Sequence, residues 1–534
     1  MGTRSVAWWW RAALRVVAAG LLLAGSSAAQ AQVFLPDDPL WTDPDRLDMP
    51  LPTPTTPSAA YDFVVNTFRD PGDYEGPARN INTVGAVPTS SWFVNARHRP
   101  RPRAAVRMGP RSGRPPGRPP WTVLDANSTG AALWLDVRDV SGRRYRLWLD
   151  PRGHPELVTG AAMVAQRLYH ALGYRVPTHF LVALRAADLE ADAPTNEVNR
   201  VLSAAQRNDD GTYRAVAAHL PHAERRIGPF RFFGTRPYDG NDVFPHEARR
   251  ELRGLRVVAA WLHHAGLQGA ATRDVVTVRD QRQFVLHYLY DFTSALGSSG
   301  QGPKPAWVGH EYLLEVGPVL RRAATLGLAA TPWTREPLSP HPAVGRFSSS
   351  FFDPRAWKPR VPNPAFLRCD SADAFWAAAR IRALSQEAIE GAVAAAHYSN
   401  PVAANAITRT LLARRNRIGA THLRFAGGLD RFVVRRDTLH FADLPARYGL
   451  RPDALRRLYN WHVFNNASGQ RGERLGGGTV HDTSVALPPD ARAPFLQVTL
   501  RTPGHGHTYV YLRRRASGAY AVVGVRRRDA AEGT

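Results

Sequence analysis

The chain has 534 residues, 44% of them hydrophobic, and carries 69 Lys and Arg against 45 Asp and Glu for a net charge of +24. Its single cysteine, Cys369, excludes an intramolecular disulfide, so stability must come from buried apolar surface, enough at this length for two or three ordinary cores. Lys304 and Lys358 are the only lysines, so the basic excess reads first as an arginine-biased composition and only then as a surface that attracts polyanions.

In chain order, residues 1–15 carry Arg4, Arg11 and Arg15 without an acid, an apolar run extends from Val16 to Ala24, and Ala29-Gln30-Ala31 supplies a small-residue cleavage signal. The run is far shorter than the roughly 20 residues of a spanning helix. A signal peptide over 1–31, cleaved between Ala31 and Gln32, is therefore expected, with the mature protein exported to the periplasm or exterior of a bacterial cell. Residues 32–74 read as an extended leader rich in Pro, Asp and Thr. Within 97–120, Arg97, Arg99, Arg101, Arg103, Arg111, Arg114 and Arg118 are interleaved with Pro and Gly, a density expected to forbid regular structure and to leave an exposed basic loop. These arginines are the candidate polyanion-binding residues.

A hairpin is expected next, with strands over 132–138 and 143–149 joined at Asp139-Val140-Ser141-Gly142. Apolar spacing predicts a helix from Glu156 to Leu172 stopped by Gly173, a strand from His179 to Leu184, and a helix from Glu247 to His264. Val275–Val278 and Phe284–Tyr290 form a strand pair around a polar turn. Two long Ala-rich helices are expected over 373–397 and 402–423, and short alternating runs after Gly427 predict a β-domain, sandwich or barrel.

Several segments resemble a family of large uncharacterised bacterial exported proteins. They are Asn80-Ile81-Asn82, Ser91-Trp92-Phe93, Thr159-Gly160-Ala161, Gly234-Thr235-Arg236, Pro245-His246-Glu247, His287 to Phe292, and Asp353 to Pro359. The segment order is also similar to a protein-kinase-like fold, as in atypical bacterial and spore-coat kinases. That resemblance implies a Lys on a strand, a Glu on the next helix, a loop Asp and Asn, and a metal-binding Asp, all of which phosphoryl transfer uses together. Here Trp148 stands at the Lys position, Ala162 at the Glu, Ala265 at the loop Asp and Ala271 at the Asn. Only Asp291, in Tyr290-Asp291-Phe292, matches.

The expected fold is α+β: the Ala-rich helices form an added helical subdomain over 301–427, the alternating runs a C-terminal β-sandwich or barrel-like domain over 428–534, and the resemblance implies a kinase-like core over 75–300. It also implies a pseudokinase-like, non-enzymatic protein that binds an anionic envelope polymer or a protein partner, with no required cofactor. Arg146 shares a strand face with Trp148, and the two are the candidate ligand-binding residues. One alternative is an atypical exported phosphotransferase, with Asp291 on Mg²⁺ and Arg146 on phosphate. The other is a polyanion-binding surface protein acting through the arginine-rich loop. Weaker metal candidates are His505 with His507, and Asp239 with Asp242.

Overall fold

The computed structural model describes residues 32–49, 53–56, 59–96, 101–219, 225–317, 320, 324, 331–451, 455–489 and 491–529. The expected signal peptide, Arg97 and Arg99 lie outside the described residues. Within the expected leader, Ala59–Phe68 is a helix, α1. The chain upstream of it is laid along the rest of the molecule. Phe34 packs on Phe464, Phe495 and Tyr511, and Met49 N donates to Gln283 O at 2.9 Å.

The basic segment departs from its expected irregular form, because Arg103–Met108 is a short helix, α2. Its Val106 is buried, and Arg167 Nε donates to Arg107 O at 2.9 Å. The rest of the segment is a docked strap, since Tyr145 Oη donates to Arg114 O at 3.0 Å and Gly117 N to Asp139 Oδ2 at 3.0 Å. Prolines that cannot join a sheet ladder still leave carbonyls free to accept such bonds.

The strands β1 (Trp121–Asn127), β2 (Trp134–Arg138), β3 (Arg144–Leu149), β4 (Thr178–Leu184), β5 (Leu189–Ala191) and β6 (Tyr213–His219) form one sheet in the order β4-β6-β3-β2-β1-β5. The β2–β3 turn closes on Gly142, whose φ of 79° suits glycine, while Asp139 Oδ1 accepts from Ser141 and Arg143. Alternation divides the sheet. Tyr145, Leu147 and Leu149 pack into one core with Val198, Val201 and Leu202 of helix Thr195–Ala204. Trp148 joins the larger core on the other face.

Helix α3 (Leu157–Leu172) packs there, as the spacing predicts, and Gly173 ends it at a φ of 109°. Asp150 anchors its start, accepting from Val158 N at 2.8 Å, Thr159 N at 2.9 Å and Thr159 Oγ1 at 2.7 Å. The helix Arg250–Leu262, designated α4, is buried along nearly its full length and ends at His263, with β7 (Thr272–Arg279) and β8 (Arg282–Leu289) following as a hairpin. The expected 373–397 helix is two helices, α5 (Ser371–Ala383) and α6 (Gln386–Ala394). Leu384 is extended, and Ser385 Oγ accepts from Ala388 N at 3.2 Å, so a helix start wins over Ala-rich propensity. Pro401–His422 is α7, capped by Asn400.

The C-terminal region is a sandwich of two open sheets. One holds β9 (Leu429–Arg435), β10 (Thr438–Asp443) and β13 (Ser484–Ala486). The other holds β11 (Arg457–Phe464), β12 (Arg471–Val480), β14 (Phe495–Thr502), β15 (Gly506–Arg514) and β16 (Tyr520–Arg528). Leu429, Leu439 and Val485 meet Trp461, Val498 and Val510 in one shared core. No helix among the described residues is long and apolar enough to cross a membrane.

Candidate functional site

The register of β2 and β3 sets Trp148 opposite Trp134 and Arg146 opposite Asp136. Trp148 is 1% exposed, with its ring centroid 5.6 Å from that of His179 and 5.4 Å from that of Tyr290. Burial first, and then Arg167 nearby, pushes the His179 imidazole down to about 3, so it sits there neutral. Trp148, Ala162, Ala265, Ala271, Tyr290 and Phe292 are all buried in the larger core. What meets there is apolar and aromatic.

Ala271 lies against the Asp291 turn, its carbonyl accepting from Tyr290 N at 2.9 Å and Asp291 N at 3.1 Å. Asp291 Oδ1 in turn accepts from Thr293 N at 2.9 Å and Thr293 Oγ1 at 2.7 Å. That turn takes up one carboxylate oxygen, and no group of three or more His, Cys, Asp or Glu among the described residues could hold a metal ion.

Arg146 shares the face of Trp148 but is already engaged. Its Nε and Nη2 bond both oxygens of Asp136 at 2.7 and 2.6 Å, and its guanidinium lies 3.8 Å from the Trp134 ring centroid. Burial alone would lower its pKa, but the hydrogen bond to Asp136, with Tyr290 and Asp291 adding to it, raises it instead. A two-pronged pair of this kind competes directly with any phosphate.

Two features escaped the sequence reading. Lys304 is 3% exposed, and its Nζ donates to Ser294 O at 2.5 Å and also to His263 O, tying the end of α4 to the segment after Asp291. Its rarity in an arginine-biased chain was the available signal. The second feature is a buried polar network built from the family-resemblance motifs. Arg236 pairs with Asp274 at 2.8 Å, Asp274 holds His287 Nδ1 at 2.8 Å, and the His287 ring stacks on Trp92 with centroids 3.6 Å apart. Asp242 bonds His246 and Arg249, both at 2.7 Å. Burial alone would raise the Asp242 carboxyl, but His246 and Arg249 hold it well below the usual range. With those partners Asp242 is an internal strut, not an open cation ligand. Burial and then Arg501, Arg471 and Arg528 lower the His507 pKa, and His505 with His507 belongs to no group of three or more candidate metal ligands among the described residues.

Of the basic-loop residues, Arg103, Arg111, Arg114 and Arg118 are exposed on the docked strap, and Arg101 is half-buried beside a cavity described below.

No family model matches the chain. No curated protein matches it either. Among solved structures it is similar to a Helicobacter pylori proinflammatory kinase, CtkA, at 12% identity, over 56% of this chain and 95% of that one, with a TM-score of 0.30. It is similar to a Golgi casein kinase, solved with Mn and ADP bound, at 10% identity, over 57% of this chain and 73% of that one, with a TM-score of 0.31.

Proposed function

We propose that this chain is an exported, kinase-like scaffold that works by binding an envelope component or protein partner and does not transfer phosphate. The observation that carries the reading is the content of the space between β3 and the Asp291 turn. Trp148 stands where a lysine would orient phosphates, packed against neutral His179 and Tyr290. The positions of the partner Glu, the base and the second metal ligand are Ala162, Ala265 and Ala271. Phosphoryl transfer is almost entirely positioning and electrostatic stabilisation. Groups that act as a unit lose most of their effect when one is missing, and here four are. Arg146 cannot stand in, because Asp136 holds its guanidinium on both prongs.

The test is a titration of the full mature chain with ATP in the presence and absence of Mg²⁺, alongside an autophosphorylation assay. The reading predicts no Mg²⁺-dependent binding and no label transfer. Mg²⁺-dependent binding together with autophosphorylation, both lost in Asp291→Ala, would establish an active phosphotransferase instead.

A further inference from the structure

A cavity of about 740 Å³, open to solvent, has neither Trp148 nor Asp291 in its lining. Its wall is assembled from the leader, residues 77–96 and Arg101, the end of α3, Arg250 of α4, helix α5, the segment 444–448, and the β9 and β16 edges of the sandwich. Its volume falls in the range of sites that hold small organic ligands.

The wall is chemically lopsided. It contains seven arginines and one acid, Asp430, among about 30 residues, whereas arginine is 67 of 534 residues in the whole chain. The enrichment is nearly twofold over the bias already present. Asp430 does not offset it, because its Oδ1 is taken by Arg527 at 2.9 Å. Arg101, Arg447 and Arg526 have no carboxylate partner among the described residues. Arg380 is half-buried, and its guanidinium is held by the Leu172 carbonyl at 3.1 and 2.9 Å. The rest of the wall is mostly apolar, with Trp376 and Phe432 among its aromatic members. Guanidinium groups match phosphate oxygens in fork geometry.

From this we infer that the cavity is a binding site for an organic phosphate with an apolar body, the phosphoryl group meeting Arg101, Arg447 and Arg526 and the body resting on the apolar wall. The site goes beyond the proposed function, because it shares no residue with the kinase-like positions. Such a ligand could come from a lipid headgroup or from a soluble phosphorylated metabolite, and the experiment separates the two.

Calorimetric titration of the full mature chain would use 1-naphthyl phosphate, dihexanoyl phosphatidate, 1-naphthol, dihexanoylglycerol and inorganic phosphate. At least one of the two organic phosphates should bind tenfold or more tighter than its uncharged counterpart and than inorganic phosphate. Binding of phosphatidate alone identifies a lipid headgroup, and binding that includes naphthyl phosphate identifies a soluble ligand. The double variant Arg447→Gln, Arg526→Gln removes two exposed rim charges and should weaken binding at least tenfold. Arg435→Gln with Arg515→Gln removes the same charge from exposed positions elsewhere on the sandwich and should change binding less than twofold. Ala379→Phe, at a half-buried wall position, should block the body without altering charge. The inference is overturned if the uncharged compounds or inorganic phosphate bind as tightly as the organic phosphates, if the control pair loses as much as the rim pair, or if no probe binds. Asp291→Ala should leave every value unchanged, so failure here is distinguishable from failure of the scaffold reading.

Discussion

The space between β3 and the Asp291 turn is filled by packed aromatic side chains, whereas the cavity between α5 and the sandwich edges is open and lined with arginine. The first region is filled by Trp148, Tyr290 and His179 and has Arg146 paired internally with Asp136. The second has cations in excess, several of them without a carboxylate partner among the described residues. The contrast is one of chemistry: in the first region the guanidinium of Arg146 is paired and packed away, and in the second several arginines line open space.

The largest effect should come from emptying the filled region. Trp148→Ala removes a fully buried indole and should cost about 3–5 kcal/mol, read as a lowered denaturation midpoint with unchanged slope. If the loss stays below about 1 kcal/mol, Trp148 does not fill that space.

Acid should act on the same region. Burial holds His179 and His264 at about 3, Arg167 adding to the effect at the first and Lys304 at the second. A depressed folded-state pKa means that the stabilising contribution is complete above the unfolded value near 6.5 and is lost as pH falls from there toward 3. At pH 5 each histidine should account for up to about 2 kcal/mol. The pH dependence of stability should therefore flatten below pH 6.5 in His179→Phe, and an unaltered profile would contradict the neutral assignment.

A smaller effect is expected at the end of α3. Gly173 ends α3 at a φ of 109°, and a Cβ there would lie 2.5 Å from Val94 O. Gly173→Ala should cost about 1–3 kcal/mol, and it should disturb the Leu172 carbonyl that holds Arg380. The smallest change belongs to the strap. Replacing Arg111, Arg114 and Arg118 by Ser should alter stability by less than about 0.5 kcal/mol, because backbone atoms of Arg114 and Gly117 dock this segment.

Local rules made part of this legible. The β2–β3 hairpin follows from alternation and a Gly142 turn, α3 from its apolar stripe and Gly173 stop, and the β7–β8 pair from two strand-like runs around a polar turn. The break at Ser385 was hidden by Ala-rich propensity on both sides. The α2 helix was hidden by the prolines around it, since its stability comes from Val106 and Arg167, contacts that no window of sequence contains. The arginine-lined cavity was wholly out of reach: its wall runs from Pro39 to Arg527 and exists only once the leader, α5 and the sandwich meet.

The central claim, that the kinase-like space is closed and the open site lies elsewhere, is tested most directly by thermal melts of the full mature chain. Mg²⁺-ATP and dihexanoyl phosphatidate would each be compared in the unaltered protein, in Asp291→Ala and in Arg447→Gln with Arg526→Gln. The account predicts a phosphatidate-dependent rise in melting temperature that Asp291→Ala retains and the arginine pair loses, with no Mg²⁺-dependent rise from ATP. A Mg²⁺-dependent ATP shift lost in Asp291→Ala, with no phosphatidate shift in any form, would contradict it.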